Sequence, residues 1–229
     1  MAQSVFITAT GTDVGKTYVT ALMVKKLRGQ GLNAGYYKAA LSGAELVNDR
    51  LVPGDAKYVR DTAGLACDPA DLVSYIYATP VAPHLAAQRE GNPLELEVVR
   101  RDFTQSTQKY DYVVMEGAGG LVCPLRCDET AEIMQTVIIT MLGLPVLLVA
   151  DAGFGAINGC VLSVEFAKKH AIIVTGIILN RYENNNFLHA DNKRQIERLT
   201  KVPVMACVGA NAHDLDIDAQ LLTGLFKEV

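Results

Sequence analysis

The chain has 229 residues, half of them hydrophobic, and a net charge of −4, which suits one globular domain over 1–229 with one substantial core. Its basic residues are scattered in short pairs such as Lys25-Lys26 and Lys168-Lys169, which argues against nucleic acid as a partner. Met1 to Gly11 lacks the pattern of a secretory leader, and the longest uncharged apolar run, Thr136 to Ala150, falls short of the ~20 residues of a membrane helix, so neither export nor a membrane partner is expected.

The five cysteines, odd in number and unevenly spread, read as reduced thiols of a cytoplasmic protein. Cys123 and Cys127 have no second pair or spaced histidine that would complete a zinc site.

In chain order, an apolar strand at Val5–Ile7 leads into "TATGTDVGKT", residues 8–17, and then a helix from Lys16 to about Arg28. A phosphate-binding loop works because backbone N–H groups and a helix start converge on anionic oxygens, with Lys adding charge and Ser or Thr reaching Mg²⁺. Gly15-Lys16-Thr17 supply that end. The usual first glycine falls on Thr10, flanked by Ala9 and Gly11. An ordinary strand, turn and helix would explain the glycines but not a lysine at the helix entry.

A strand at Gly35–Lys38 puts Lys38 at a strand end, where it either faces the phosphates or snorkels to water. Asp55, after "VPG", reads as a metal ligand or as a helix N-cap. A helical pattern spans Glu95 to Gln108, and the strand "YDYVVMEG" delivers Glu116 in front of Gly117-Ala118-Gly119-Gly120, expected as a turn with exposed backbone. Glu116 is a candidate Mg²⁺ ligand, since Mg²⁺ takes one or two carboxylates together with phosphate oxygens and water. Helical patterns at Ala131–Leu142, Asn158–Lys169 and Asn186–Thr200 then alternate with the strands "PVLLVAD", "IIVTGIILN" and "PVMACVG". This is an α/β chain, with a mostly parallel sheet flanked by helices on both faces, and ligands gather beyond the carboxyl ends of such strands.

Together, "TATGTDVGKT", "YYKAALSG", "PGDA", "APH" with "LAA", "MEGAGG", "GFGAIN" and "ILN" resemble, in order and spacing, the dethiobiotin synthetases of the P-loop NTPase superfamily, over Val5 to about Gly209. The resemblance implies an ATP-dependent cyclo-ligase of biotin synthesis, taking 7,8-diaminononanoate, CO₂ and ATP to dethiobiotin, ADP and phosphate with Mg²⁺. It implies a nucleotide site built from Thr12, Asp13, Val14, Gly15, Lys16, Thr17 and Tyr18, from Glu116, Gly117, Ala118, Gly119 and Gly120, and from Asn180 as a reader of the base. Thr17, Asp55 and Glu116 would hold Mg²⁺, and Lys16 and Lys38 would be catalytic. Thr12, Asp13, Lys38 and Ser42 would line the diamine site. Gly155, Ala156, Ile157 and Asn158 would reach the substrate across a homodimer interface, giving a shared active site.

Several positions depart from the family pattern. Asp13 stands where glutamate is common, Ala39 where a proline often follows the lysine, Ala9 at the loop's entry in place of glycine, and Cys207 to Gly209 differ from the usual frame of the adenine. Partner-controlled ATPase switches share this sheet and a related loop, but they carry an extra lysine near the loop's start, where this chain has Ile7-Thr8-Ala9-Thr10. An amidotransferase ligase of related chemistry needs a glutaminase domain for which this chain has no room.

Overall fold

The computed structural model describes residues 1–229. In chain order the strands are β1 (Gln3–Ala9), β2 (Ala34–Ser42), β3 (Glu45–Val47), β4 (Arg50–Val52), β5 (Val73–Tyr77), β6 (Tyr112–Gly120), β7 (Pro124–Cys127), β8 (Glu132–Met134), β9 (Val146–Asp151), β10 (Val174–Asn180), β11 (Val204–Val208) and β12 (Lys227–Glu228). The helices are α1 (Lys16–Gly29), α2 (Gly54–Ala63), α3 (Pro83–Glu90), α4 (Leu96–Lys109), α5 (Gln135–Leu142), α6 (Ala156–Lys169), α7 (Phe187–Thr200) and α8 (Ala219–Thr223).

The main sheet runs β11-β10-β9-β1-β6-β2-β5 with all these pairs parallel, and β12 adds antiparallel to the first residues of β1. Alternate side chains of a strand point to opposite faces. In β9, Leu147 and Val149 therefore enter the large core cluster shared with α1, while Leu148 and Ala150 join a second cluster with Cys160 and Val164 of α6 and Ile196 of α7. Burial on both faces is what a parallel sheet between helix layers requires, as the apolar runs of β1, β9 and β10 lead one to expect. The chain winds from β1 outward through β2 and β5, returns to β6, then crosses to β9, β10 and β11, so the reversal lies around β1 and β6. Crevices at such reversals are where α/β sheets bind ligands. No helix is long and apolar enough to cross a membrane.

Three local expectations are corrected. Residues 131–142 are not one helix: Glu132–Met134 pair with β7 as an antiparallel hairpin, and the helix starts only at Gln135. Gly117 to Gly120 are not a turn but the last part of β6, with Gly120 paired to Ala9 after a register shift. Lys38 is not at a strand end, because β2 continues to Ser42 alongside β5.

Candidate active site

The loop leaves β1 at Ala9 and enters α1 at Lys16, and two of its residues, Asp13 (φ 59°) and Gly15 (φ 88°), are left-handed. Gly15 is obligatory for a second reason: a Cβ there would lie 2.0 Å from Asn180 Nδ2. The missing first glycine is explained by what the loop does not need. Thr10 has no positive φ, and the space beside its side chain is left by Gly159 of α6, where a Cβ would come within 3.0 Å of Thr10 Cβ. The N-cap of α1 has no side-chain bond, so its first N–H groups remain available to an anion.

Four side chains converge on Glu116, which is 1% exposed. Its Oε1 accepts from Thr17 Oγ1 at 2.8 Å, Lys38 Nζ at 2.9 Å and Lys16 Nζ at 3.2 Å, and its Oε2 accepts from Tyr36 Oη at 3.2 Å. Lys38 also donates to Asp55 Oδ2 at 2.5 Å. The β2–β6 register that sets Lys38 beside Glu116 creates this cluster. Burial disfavours the Glu116 charge, but Lys38 and Lys16 outweigh it and draw the carboxyl down to about 2. Burial likewise works against the Lys38 ammonium, and Glu116 and Asp55 more than reverse it, holding the group well above an ordinary lysine. Lys38 is therefore a fixed cation and Glu116 a fixed anion near neutral pH. Neither is a proton shuttle.

These groups floor or border a cleft of about 1040 Å³ lined by Thr12, Asp13, Gly15, Lys16, Thr17, Lys38, Ser42, Asp55, Ala118 and Gly119. Glu116 lies beneath it. Ser42 Oγ donates to the Val81 carbonyl at 2.6 Å and so ties the cleft wall to the Pro80–Pro83 segment. Asp55 is the second residue of α2, whose N-cap is Pro53, so the N-cap reading fails. The remaining expected residues stand elsewhere. Val14 turns its carbonyl to Asn180 Nδ2 at 2.9 Å, and Tyr18 Oη donates to the Ala212 carbonyl. Asn180 is buried behind the loop with its Oδ1 unpartnered. Gly117 and Gly120 are backbone of β6. Gly155, Ile157 and Asn158 border a separate groove of about 470 Å³ at the start of α6, and Ala156 is buried there.

Sequence reading missed Tyr36 and Gln135, and also Arg181, which borders the cleft. Gln135, buried at the start of α5, accepts from Ala118 N at 2.7 Å and donates to the Gly120 carbonyl at 3.0 Å, holding the end of β6 in place. A buried polar residue inside an apolar pattern is the only signal that could have marked it. Tyr36 gave none, since aromatic residues are ordinary in strands. The Cys123 thiol borders the cleft, and burial pushes it up to about 11, toward the protonated thiol.

The AAA domain family matches residues 3–215. The solved MinC:MinD cell division protein complex of Aquifex aeolicus superposes with a TM-score of 0.54 at 15% identity, over 98% of this chain and 86% of that one. The signal recognition particle 54 kDa protein of Aeropyrum pernix gives 0.54 at 14% identity, over 96% and 44%. Both show the fold alone. Among sequences, the ATP-dependent dethiobiotin synthetase BioD of Clostridium botulinum strain Eklund 17B is 48% identical over 95% of each chain. That of strain Loch Maree is 44% identical over the full length of both. With this identity along the whole chain, and with the phosphate loop, Lys38 and Glu116 brought to one cleft, the chain belongs to the ATP-dependent dethiobiotin synthetase family.

Proposed function

We propose that the chain is an ATP-dependent cyclo-ligase that converts 7,8-diaminononanoate and CO₂ to dethiobiotin, with ATP yielding ADP and phosphate. The observation that carries this reading is the convergence of Lys16, Thr17 and Lys38 on buried Glu116 at one edge of a cleft large enough for two substrates. One substrate amine captures CO₂ as a carbamate. A carbamate oxygen attacks the γ-phosphorus and the bond to the β-phosphate oxygen breaks, giving ADP and a carbamic-phosphoric anhydride. The second amine then attacks the anhydride carbon, and phosphate leaves as the five-membered urea closes. No protein nucleophile is needed. The chain supplies alignment and charge, as phosphoryl transfer generally requires.

Lys16, at the helix entry, faces the β- and γ-phosphates, and Lys38 offers its fixed positive charge to the carbamate and the transferring group. Thr17, Asp55 and Glu116 fit Mg²⁺: all are hard oxygen donors, and two carboxylates match its habit of sharing coordination with phosphate and water. Mg²⁺, when bound, neutralises phosphate charge.

The start of α6 is offered to a second subunit. Its N-cap, Gly155, has φ 82° and no side chain to cap the free N–H groups, which suits the substrate's carboxylate. Around it Phe154 is 94% and Leu162 61% exposed, an apolar face that supports a homodimer. The test is release of ADP with and without diamine and bicarbonate. ADP formation should require both; release that ignores the diamine, or that answers instead to a protein or lipid partner, overturns the reading.

A further inference from the structure

A phosphate loop that turns its N–H groups inward to an anion turns its carbonyls outward, and those carbonyls need donors if the loop is to hold its shape. Here two consecutive residues supply them. Asn180 Nδ2 donates to the Val14 carbonyl at 2.9 Å, and Arg181 Nη2 to the Asp13 carbonyl at 2.7 Å. Arg181 is itself anchored, with Nη1 donating to Asp151 Oδ2 at 2.6 Å, while Asp151 Oδ1 accepts from Gly153 N at 2.9 Å. The carbonyls of Ala152 and Gly153 are in turn held by Asn192 Nδ2, each at 2.8 Å. The bridge thus rests on the ends of β9 and β10 and on α7.

Backbone strain marks the same points. Asp13 has φ 59° and Arg181 φ 54°, left-handed positions that a residue with a Cβ occupies only at an energetic cost. Such conformations persist where surrounding contacts over-determine them, and the guanidinium joins the two. Arg181 also borders the cleft beside Thr12, Asp13 and Gly15.

We propose that Arg181 is a positioning residue for the nucleotide: bridging the Asp13 carbonyl to Asp151, it holds the strained loop in its anion-binding form before ATP arrives. Its planar fork can serve the carbonyl and the carboxylate at once, which a single ammonium reaches less well. This deepens the ATP-site reading given above and rests on it.

The experiment measures the dissociation constant of a non-hydrolysable ATP analogue with Mg²⁺ by calorimetry, for the full-length protein and for Arg181→Gln, Arg181→Lys, Asp151→Asn and the double variant Arg181→Gln/Asp151→Asn. Lys16→Ala serves as the control that the site itself binds the analogue. If Lys16→Ala abolishes binding, the ATP-site reading stands whatever Arg181 does. Arg181→Gln should then weaken binding about 5–30-fold, with kcat at saturating ATP within about threefold of the unmodified protein. Arg181→Lys should recover part of the loss. Asp151→Asn should weaken binding in the same direction, and the double variant should lose little more than Arg181→Gln alone. Three results overturn the proposal: a change under twofold in Arg181→Gln, losses from Arg181 and Asp151 that simply add, or a fall in kcat at unchanged affinity, which would place Arg181 on the reacting atoms. Should Arg181→Gln not fold, the comparison of Arg181→Lys with Asp151→Asn decides by the same criteria.

Discussion

Glu116 serves two ends that pull in one direction. It is a buried anion that neutralises two lysines, and it is one of the two carboxylates proposed for Mg²⁺. Glu116→Gln therefore does more than remove a proposed metal ligand: Lys16 loses its carboxylate and Lys38 keeps only Asp55. We expect turnover to fall about 10²–10³-fold, with a stability loss of roughly 1–3 kcal/mol. Activity that stays full with an unchanged Mg²⁺ requirement would remove Glu116 from the metal site. The pH dependence has a definite sign. The folded carboxyl, at about 2, lies below its ordinary 4.5, so its contribution is complete above 4.5 and is lost as pH falls toward 2. The difference in melting temperature between the unmodified protein and Glu116→Gln should accordingly narrow as pH drops through that window. Lys38→Ala should lower kcat about 10²–10³-fold and change ATP affinity by only about threefold, because fixed positive charge matters most where negative charge is being redistributed. An equal loss in both would make Lys38 a simple binding residue. Lys16, Lys38 and Glu116 were each legible as residues with charge to contribute. That one carboxylate oxygen serves both lysines follows from two registers, β2–β6 for Lys38 and β1–β6 for the loop that carries Lys16, which spacing along the chain does not encode.

At the scale of elements, the loop shows which glycine matters. Gly15→Ala would force a Cβ against the Asn180 amide at a left-handed position, and should lower stability by roughly 1–3 kcal/mol and weaken nucleotide binding well over tenfold. Melting temperature and analogue titration check both parts. Placing a glycine at Thr10, where the motif would have one, should bring no gain in affinity, since that residue needs no left-handed freedom. The strands plain in the sequence are β1, β2, β6, β9, β10 and β11, most of them largely apolar and buried on both faces. Missed were the elements with one wet side or few residues: β5 alternates buried and half-buried positions at the sheet edge, β3 and β4 form a largely exposed hairpin, and β12 is two residues long. The Gly-rich end of β6 was misread because glycine signals a turn on its own, whereas here it permits the close parallel approach of β1, with Gly120 opposite Ala9. The length of β2 depends on its neighbour β5, and a strand's end is set by its partner as much as by its own residues.

For the whole molecule, the groove at α6 lies apart from the cleft, and the residues expected to hold the substrate's carboxylate border that groove instead. A single chain thus presents the Lys16 loop and an uncapped helix start that do not line one cavity, and the exposed Phe154, Leu162 and Leu199 surround the second. The two-fold dimer proposed above would reconcile these facts, with each chain giving its helix start to the other's cleft. The test mixes two inactive variants, Lys16→Ala and Gly155→Trp, under conditions where subunits exchange. Gly155 has nothing within 4 Å of an added Cβ, so the first atom of a bulky side chain finds open space at the proposed interface. If its left-handed backbone prevents folding, Asn158→Trp takes its place. A hybrid dimer contains one site with both defects and one with neither, so random exchange should restore about a quarter of the unmodified activity per chain. Light scattering should find a dimer at the assay concentration. If exchange is confirmed and no activity returns, or if the protein is monomeric and active at that concentration, each chain must complete its own site, and the exposed face around α6 needs a different explanation.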